Sequence, residues 1–413
     1  MWSKPWTFLE GAVIGVGLVV TGEILHLTIG EVAWNLFAFP LNVLLAAVFV
    51  SAIVLAFLLR GRVYFFRWCA TIHAAVPIMF WCAVLTLVMG FTGWMSMLRW
   101  WPLVLCYTFM MFVLGMTCLK RLRPFSLSFL LNHCGLFLAL LAGTLGSADM
   151  QKLRMEVRVG KPEWRAVDET DNSIKSLEVA VELHSFTIDE YPARLMLVDN
   201  ATGKTASAGN PERIVIEDSI TKGSLLDWDI TADRYMEMAA RVTGEDSEVK
   251  YVEWKNMGAA TVVHVIAKQR QTGVVKEGWA SCGSFMFPYH ALRLNDQYSL
   301  VMPDREPKRF ASDVTVYTKE GTVKDAVIEV NKPLEIDGWK IYQVSYDESM
   351  GRWSDTSVFE LVRDPWLGLV YAGIFMMLVG AICMFVSSNR RGSRQKPLDP
   401  SQISDHVNPS QIC

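Results

Sequence analysis

Cysteine is almost missing from the one stretch where it could staple a fold. Of the eight cysteines, Cys69, Cys82, Cys106, Cys118, Cys134 and Cys383 lie in or beside long apolar runs, and Cys413 is terminal. Only Cys282 falls in the polar stretch from 147 to 364, so no bridge can form within it. A lone thiol there is expected to be buried and inert. Histidine is scarce too, with seven in 413 residues. The polar stretch has no His-Glu-x-x-His, no Gly-rich phosphate loop and no Gly-x-Ser-x-Gly elbow. Its histidines, His184, His264 and His290, are far apart in sequence, which speaks against a metal centre. The acidic pairs Asp189-Glu190 and Asp347-Glu348 read as solvated turn residues rather than an acid/base pair. An excess of positive charge is also lacking. The net charge of -3 and the absence of a basic stripe exclude a strongly basic nucleic-acid binder. No catalytic residue is identified, and a binding or assembly module remains.

What the chain has in plenty is apolar sequence. A span needs about 20 predominantly apolar residues. Six runs qualify: Phe8–Leu27, Leu41–Leu59, Trp68–Gly90, Trp100–Cys118, Leu127–Leu145 and Trp366–Ser387. Lys and Arg in short loops mark the cytoplasmic side. They cluster at Lys4, at Arg60, Arg62 and Arg67, at Lys120, Arg121 and Arg123, and at Arg390, Arg391, Arg394 and Lys396. The opposite loops carry only Arg99. Both termini are therefore expected inside, with the large polar domain outside. The first run lacks a small-x-small cleavage site and reads as an uncleaved span.

The expected architecture is a polytopic α-helical membrane protein of six spans, with a large β-rich extracytoplasmic domain between spans five and six. Its divisions are 1–146 (five spans), 147–364 (the β-rich domain), 365–388 (the sixth span) and 389–413, a polar tail expected to be disordered. Alternating or β-branched runs mark strands at 152–159, 177–183, 194–198, 261–266, 297–302, 313–317, 326–330 and 340–345. Tyr235, Met236, Met238 and Ala239 give a helical stripe, so a helix is expected over Thr231–Val242.

Ionisable residues within spans are costly and usually functional. Glu23 and His26 share a face of the first span and are expected to pair locally. His73 lies about a turn and a half into the third span, and His133 at similar depth in the fifth. A neutral imidazole there can ligate haem iron, relay protons or bond a neighbouring helix. Trp94, Trp100, Trp101 and Trp366 read as an interfacial belt.

Several segments resemble the ResB/CcsB family of cytochrome c biogenesis proteins. Phe129-Leu-Leu-Asn-His133-Cys-Gly135-Leu-Phe-Leu is similar to that family's His-x-Gly-Leu span, and Phe186-Thr-Ile-Asp-Glu-Tyr191-Pro192 to its aromatic-acidic-Tyr-Pro strand end. Pro307-Lys308-Arg-Phe310-Ala-Ser312 looks like its Pro-Lys-x-Phe-x-Ser motif. Val330-Asn331-Lys-Pro333-Leu334 through Gly338-Trp-Lys-Ile-Tyr342-Gln343-Val-Ser-Tyr346 is similar to its most recognisable stretch, and Arg363-Asp364-Pro365 to the entry of its closing helix. Two departures stand out: five spans precede the domain where the family commonly has three, and about a hundred residues separate the Tyr-Pro and Pro-Lys motifs, which suggests an insertion over 194–302.

The resemblance implies a subunit of a cytochrome c synthetase. It would help carry haem b across the bacterial inner membrane and present it with apocytochrome c for covalent attachment. It implies a ResC/CcsA-type haem-handling partner, since no tryptophan-rich haem-binding segment occurs here, and it leaves room for thiol-reducing proteins as further partners. The family's span histidine falls on His133, an axial haem ligand by that implication, with His73 as a lesser candidate. The alternative is a scaffold or chaperone that holds partner and apocytochrome without touching haem.

Overall fold

The structure is a computed structural model that describes residues 2–92, 99–123, 125–206, 212–216, 220–243 and 249–392, with side chains to 386. It divides into two compact units, one formed by residues 1–150 and 364–413 and the other by 151–363.

The first unit is helical: α1 Phe8–Ile29, α2 Leu41–Leu59, α3 Tyr64–Cys69, α4 Ile72–Thr92, α5 Trp101–Lys120, α6 Leu127–Gly146 and α7 Leu367–Gly392. Among the described residues six helices, all but α3, are long and apolar enough to cross a membrane. This is a membrane protein with five spans before its β domain and one after. The run at Trp68–Gly90 is not one helix. The chain breaks at Ala70, whose φ and ψ of -89° and 29° are not helical, while the Thr71 hydroxyl caps back onto the Trp68 carbonyl at 2.7 Å. His73 therefore stands in the first turn of α4, nearer the helix end than its place in the apolar run suggests. The helix α7 runs on to Gly392, four residues past the expected end of the span at 388; residues 393–413 and Trp94 lie outside the described residues.

The second unit is β throughout. Its strands are β1 Gln151–Arg158, β2 Glu163–Asp168, β3 Ile174–Glu190, β4 Arg194–Asp199, β5 Ile214–Val215, β6 Thr221–Leu225, β7 Trp228–Thr243, β8 Val249–Glu253, β9 Ala260–Gln269, β10 Val275–Gly283, β11 Leu292–Arg293, β12 Tyr298–Val301, β13 Pro307–Thr318, β14 Val323–Glu329, β15 Leu334–Ile336, β16 Trp339–Tyr346 and β17 Thr356–Arg363. An eight-stranded antiparallel sheet runs β14-β13-β3-β2-β1-β17-β16-β15. It encloses Met155, Val181, Leu183, Val316, Ile341 and Phe359. Burial of each such side chain stabilises by about 1.5–3 kcal/mol.

Between β3 and β13 the chain leaves this sheet and builds a smaller lobe. A sheet ordered β10-β9-β7-β6, with β8 on β7, and a second ordered β11-β12-β4-β5 share a core of Leu195, Trp228, Val263, Val265 and Leu300. Exit and return are tied where Tyr191 N–H donates to the Glu306 carbonyl at 2.8 Å.

The helix expected over Thr231–Val242 is instead the middle of β7. Register shifts occur between Ala232 and Arg234 and between Met236 and Ala239. The buried positions therefore run 228, 230 and 232, then 236 and 239. Each bulge adds a residue, so a spacing of two becomes three, from Ala232 to Tyr235 towards one core and from Met236 to Ala239 towards the other, and the two together imitate a helical stripe.

Candidate functional site

The third span owes its shape near His73 to Pro77. A proline at this position cannot donate to the carbonyl four residues back, which is that of His73. Helix α1 approaches just there: a Cβ added to Gly11 would lie 2.7 Å from the His73 oxygen and from Pro77 Cγ. The missing side chain at Gly11 lets α1 close over the freed carbonyl, and the Phe8 ring lies 4.6 Å from the imidazole.

His133 is held by its own helix. A carbonyl can only accept, so Nδ1 donates across the 3.0 Å contact to Phe129 O, and in the neutral ring the lone pair then sits on Nε2. The Phe129 ring stacks on the imidazole at 3.8 Å between centroids, with planes 13° apart. On Phe129 in turn rests the Arg121 guanidinium, 5.0 Å from the ring centre. Next to His133, the Cys134 side chain lies beside Cys118 of α5.

The histidines of α4 and α6 open into one cavity of about 590 Å³, with α5 as its back wall. Ile78, Met79, Leu114, Leu136 and Leu140 give it apolar sides. Lys120 and Arg121, at the end of α5, supply its positive edge, with Lys120 Nζ also donating to Ala70 O at 2.8 Å. The size suits a cofactor-scale ligand, and the chemistry suits an apolar body carrying anionic groups at one end and wanting a nitrogen ligand. Sequence reading singled out both histidines but took Lys120 and Arg121 only as markers of orientation. Their position directly after the apolar run of the fourth span, on the same side of the membrane as the end of the fifth span that carries His133, was the available signal.

A second cavity in the helical unit, about 280 Å³, is bordered by Phe37, Leu45, Trp101, Tyr107 and Leu145, and carries neither imidazole nor positive charge. Glu23 does not pair with His26. Its carboxylate accepts from Trp100 Nε1 at 3.1 Å, because the indole reaches it from across the bundle, and His26 Nδ1 is buried with no partner among the described residues.

In the β domain the three histidines stay apart. His184 bonds Thr315 at 2.7 Å in the large sheet, His264 bonds Asp233 at 2.8 Å, and His290 bridges to Ser281. Cys282 is half-buried with its thiol over the Thr261 carbonyl, and burial pushes its pKa up, as an inert thiol requires. Glu190 departs from expectation. It is no solvated turn residue but the end of β3, with 16% of its side chain exposed, between Arg305 at 3.4 Å and Arg352 at 3.5 Å.

Residues 255–355 match the family model ResB, ResB-like family. The match begins inside the 194–302 segment and ends before β17. No curated protein matches the chain. The match agrees with the ResB/CcsB resemblance carried by the Pro307–Ser312 and Val330–Tyr346 motifs, both of which lie within it. It implies a role in cytochrome c biogenesis, in which the family works with a haem-handling partner. Over residues 255–355, then, this membrane protein is similar to the ResB-like family.

Proposed function

We propose that this protein is a subunit of a cytochrome c synthetase in the bacterial inner membrane. It receives haem in the α4–α5–α6 cavity and hands it on, with apocytochrome c, to a ResC/CcsA-type partner. The observation that carries this reading is the meeting of His73 and His133 in one cavity edged by Lys120 and Arg121. Haem brings an iron that takes axial nitrogen ligands and two carboxylates that take cations. Nε2 of His133 is the nitrogen left without a proton, so it can ligate without a tautomer change. Phe129 holds that tautomer and the ring plane, as outer partners of ligating histidines do. Lys120 and Arg121 neutralise carboxylates at the membrane edge, and the apolar walls keep water from the ring face. His73 is placed to offer a second nitrogen, or to leave that position to a histidine of the partner.

The short loops rich in Lys and Arg support an orientation with both termini cytoplasmic and the β domain outside. The cavity then opens towards the cytoplasmic half of the membrane, where haem would enter. Protein purified with its partner should show a Soret band that His133→Ala removes and added imidazole restores. Undiminished haem in His133→Ala would sink the assignment. A colourless wild-type protein that still supports cytochrome c maturation would favour a scaffold that never touches haem.

A further inference from the structure

One end of the helical unit gathers positive charge around a single ring. The spans α1 and α2 are consecutive, so the start of α1 and the end of α2 lie on one face of the membrane whichever way the chain is oriented. The short helix α3, between α2 and α4, lies on that face too. Trp6, just ahead of α1, ties the N-terminal segment to α3. Its N–H donates to the Tyr64 hydroxyl at 3.0 Å, and its ring stands edge-on against Tyr64 at 5.4 Å and Trp68 at 5.5 Å. Tyr and Trp at the ends of spans settle at the level of the lipid headgroups.

This tie brings two cations onto the Tyr64 ring. Lys4 Nζ lies over it, 4.8 Å from its centre, and the Arg67 guanidinium 5.3 Å from the same centre. Both residues are exposed, and neither has a carboxylate partner among the described residues. Glu10 is the one carboxylate of the described residues in the segments that meet at this face, and it is already engaged. Buried at the start of α1, it accepts from Thr7 N at 2.8 Å, Thr7 Oγ1 at 2.7 Å and Trp2 N at 3.2 Å. The ring attracts each cation without neutralising it, and two like charges held together repel. An anion placed against both relieves that cost. At headgroup depth the membrane supplies one, the phosphate of an acidic phospholipid, which Lys meets as a point charge and Arg through its planar fork. A zwitterionic lipid brings an ammonium group of its own, which the same two cations repel.

We propose that Lys4, Tyr64 and Arg67 form a site for the headgroup phosphate of an anionic phospholipid, which fastens the N-terminal segment to α3 at the membrane surface. The proposal goes beyond the haem reading. Neither cation borders the α4–α5–α6 cavity and the test uses no haem, so the two fail separately.

The full chain, delipidated in a neutral detergent, is offered phosphatidylglycerol and phosphatidylcholine at equal concentration, and bound lipid is read by native mass spectrometry. The wild-type protein should retain phosphatidylglycerol in preference. Lys4→Gln/Arg67→Gln should weaken that retention roughly tenfold, whereas Lys4→Arg/Arg67→Lys, which keeps both charges, should preserve it. Arg60→Gln/Arg123→Gln removes as much charge from the same face but spares the site, since the Arg60 guanidinium is turned back onto the Phe57 carbonyl at 2.7 Å. It should leave the preference in place. An equal loss in that variant would reduce the site to diffuse surface charge and overturn the proposal. Equal retention of phosphatidylcholine, or an unaltered Lys4→Gln/Arg67→Gln variant, would do the same. So would displacement of the lipid by inorganic phosphate at the lipid's own concentration, which would make this a free-anion site.

Discussion

Ser312 and Gln343, 31 residues apart in the chain, meet by a 2.5 Å hydrogen bond inside the large sheet. Ser312 ends the Pro-Lys-x-Phe-x-Ser segment on β13, and Gln343 lies in the Gly338–Tyr346 segment on β16. A second hydroxyl, that of Ser357 on β17, bonds Ser312 at 2.8 Å. Ser312 and Ser357 are fully buried and Gln343 nearly so. The Tyr346 ring completes the junction, 5.1 Å from Phe186 and 5.6 Å from Phe310. Segments that look like separate motifs in the sequence are thus one polar-aromatic joint.

Gln343→Leu should be costly for that reason. It fills the space but leaves the buried Ser312 hydroxyl without its acceptor, at about 1–3 kcal/mol for the unsatisfied group. Thermal unfolding of the purified protein, followed by β-sheet circular dichroism, should move down by several degrees. Adding Ser312→Ala should recover part of the loss, and an unshifted transition in Gln343→Leu would mean that the joint carries no stability.

Much of this fold was legible because its signals are local. A membrane-length apolar run needs no partner to be recognised, and all six spans were found to within a few residues except where Ala70 divides the third. Strands whose inward face alternates cleanly, such as β1 and β16, were equally readable. β7 was not, because its bulges erase the period that identifies a strand. β10 was missed as well, since Val275–Gly283 mixes Lys, Glu and Gly with its apolar residues. At the candidate site, His73 and His133 could be named from the cost of placing an imidazole in a span. That they share a cavity could not, because which helices neighbour each other is decided by contacts such as Gly11 against Pro77.

Asp149 gathers the helical unit at the C-terminal end of α6. Its carboxylate accepts from Phe39 N, Asn42 Nδ2 and Trp366 Nε1, each at 2.7 Å. Partial burial raises its pKa, but the three hydrogen bonds outweigh that and hold it below the usual carboxylate range. A depressed folded pKa stabilises above the unfolded value near 4, and that share is lost as pH falls through the folded value. Asp149→Asn should cost about 1–3 kcal/mol at pH 7. Melting curves of variant and wild type should converge below about pH 4; a constant gap down to pH 3 would exclude the carboxylate as its source.

The ion cluster of the β domain makes the opposite pH prediction. Burial raises the Glu190 carboxyl, and the charges of Arg305 and Arg352 counter it without cancelling it. Arg305→Met should destabilise the β domain by about 3–5 kcal/mol, as removing one partner of a buried pair does. A raised folded pKa makes ionisation of Glu190 unfavourable to the fold, so the variant should regain stability as pH falls towards 5. Limited proteolysis against pH would read this, and no recovery on acidification would mean that Glu190 is not the stranded charge.

A close backbone contact between α6 and α7 bears directly on His133. A Cβ at Gly373 of α7 would lie 2.6 Å from the Gly135 carbonyl and 2.7 Å from Ala139 N, and one at Gly135 would lie 2.6 Å from the Gly373 carbonyl. In lipid, where apolar burial does not drive helices together, such small residues set how near two helices come. Gly373→Leu should force α6 and α7 apart, at a cost of about 1–3 kcal/mol or more, and Gly373→Ala should show a smaller loss in the same direction. Gly143, also on α6, has open space where its Cβ would be, so Gly143→Ala should be tolerated. Because Gly135 is two residues from His133, separation of the helices also turns the imidazole away from its cavity. Gly373→Leu should therefore lose haem as well as thermal stability. A variant that melts early yet keeps its full Soret band would show that α7 steadies the bundle without positioning the histidine.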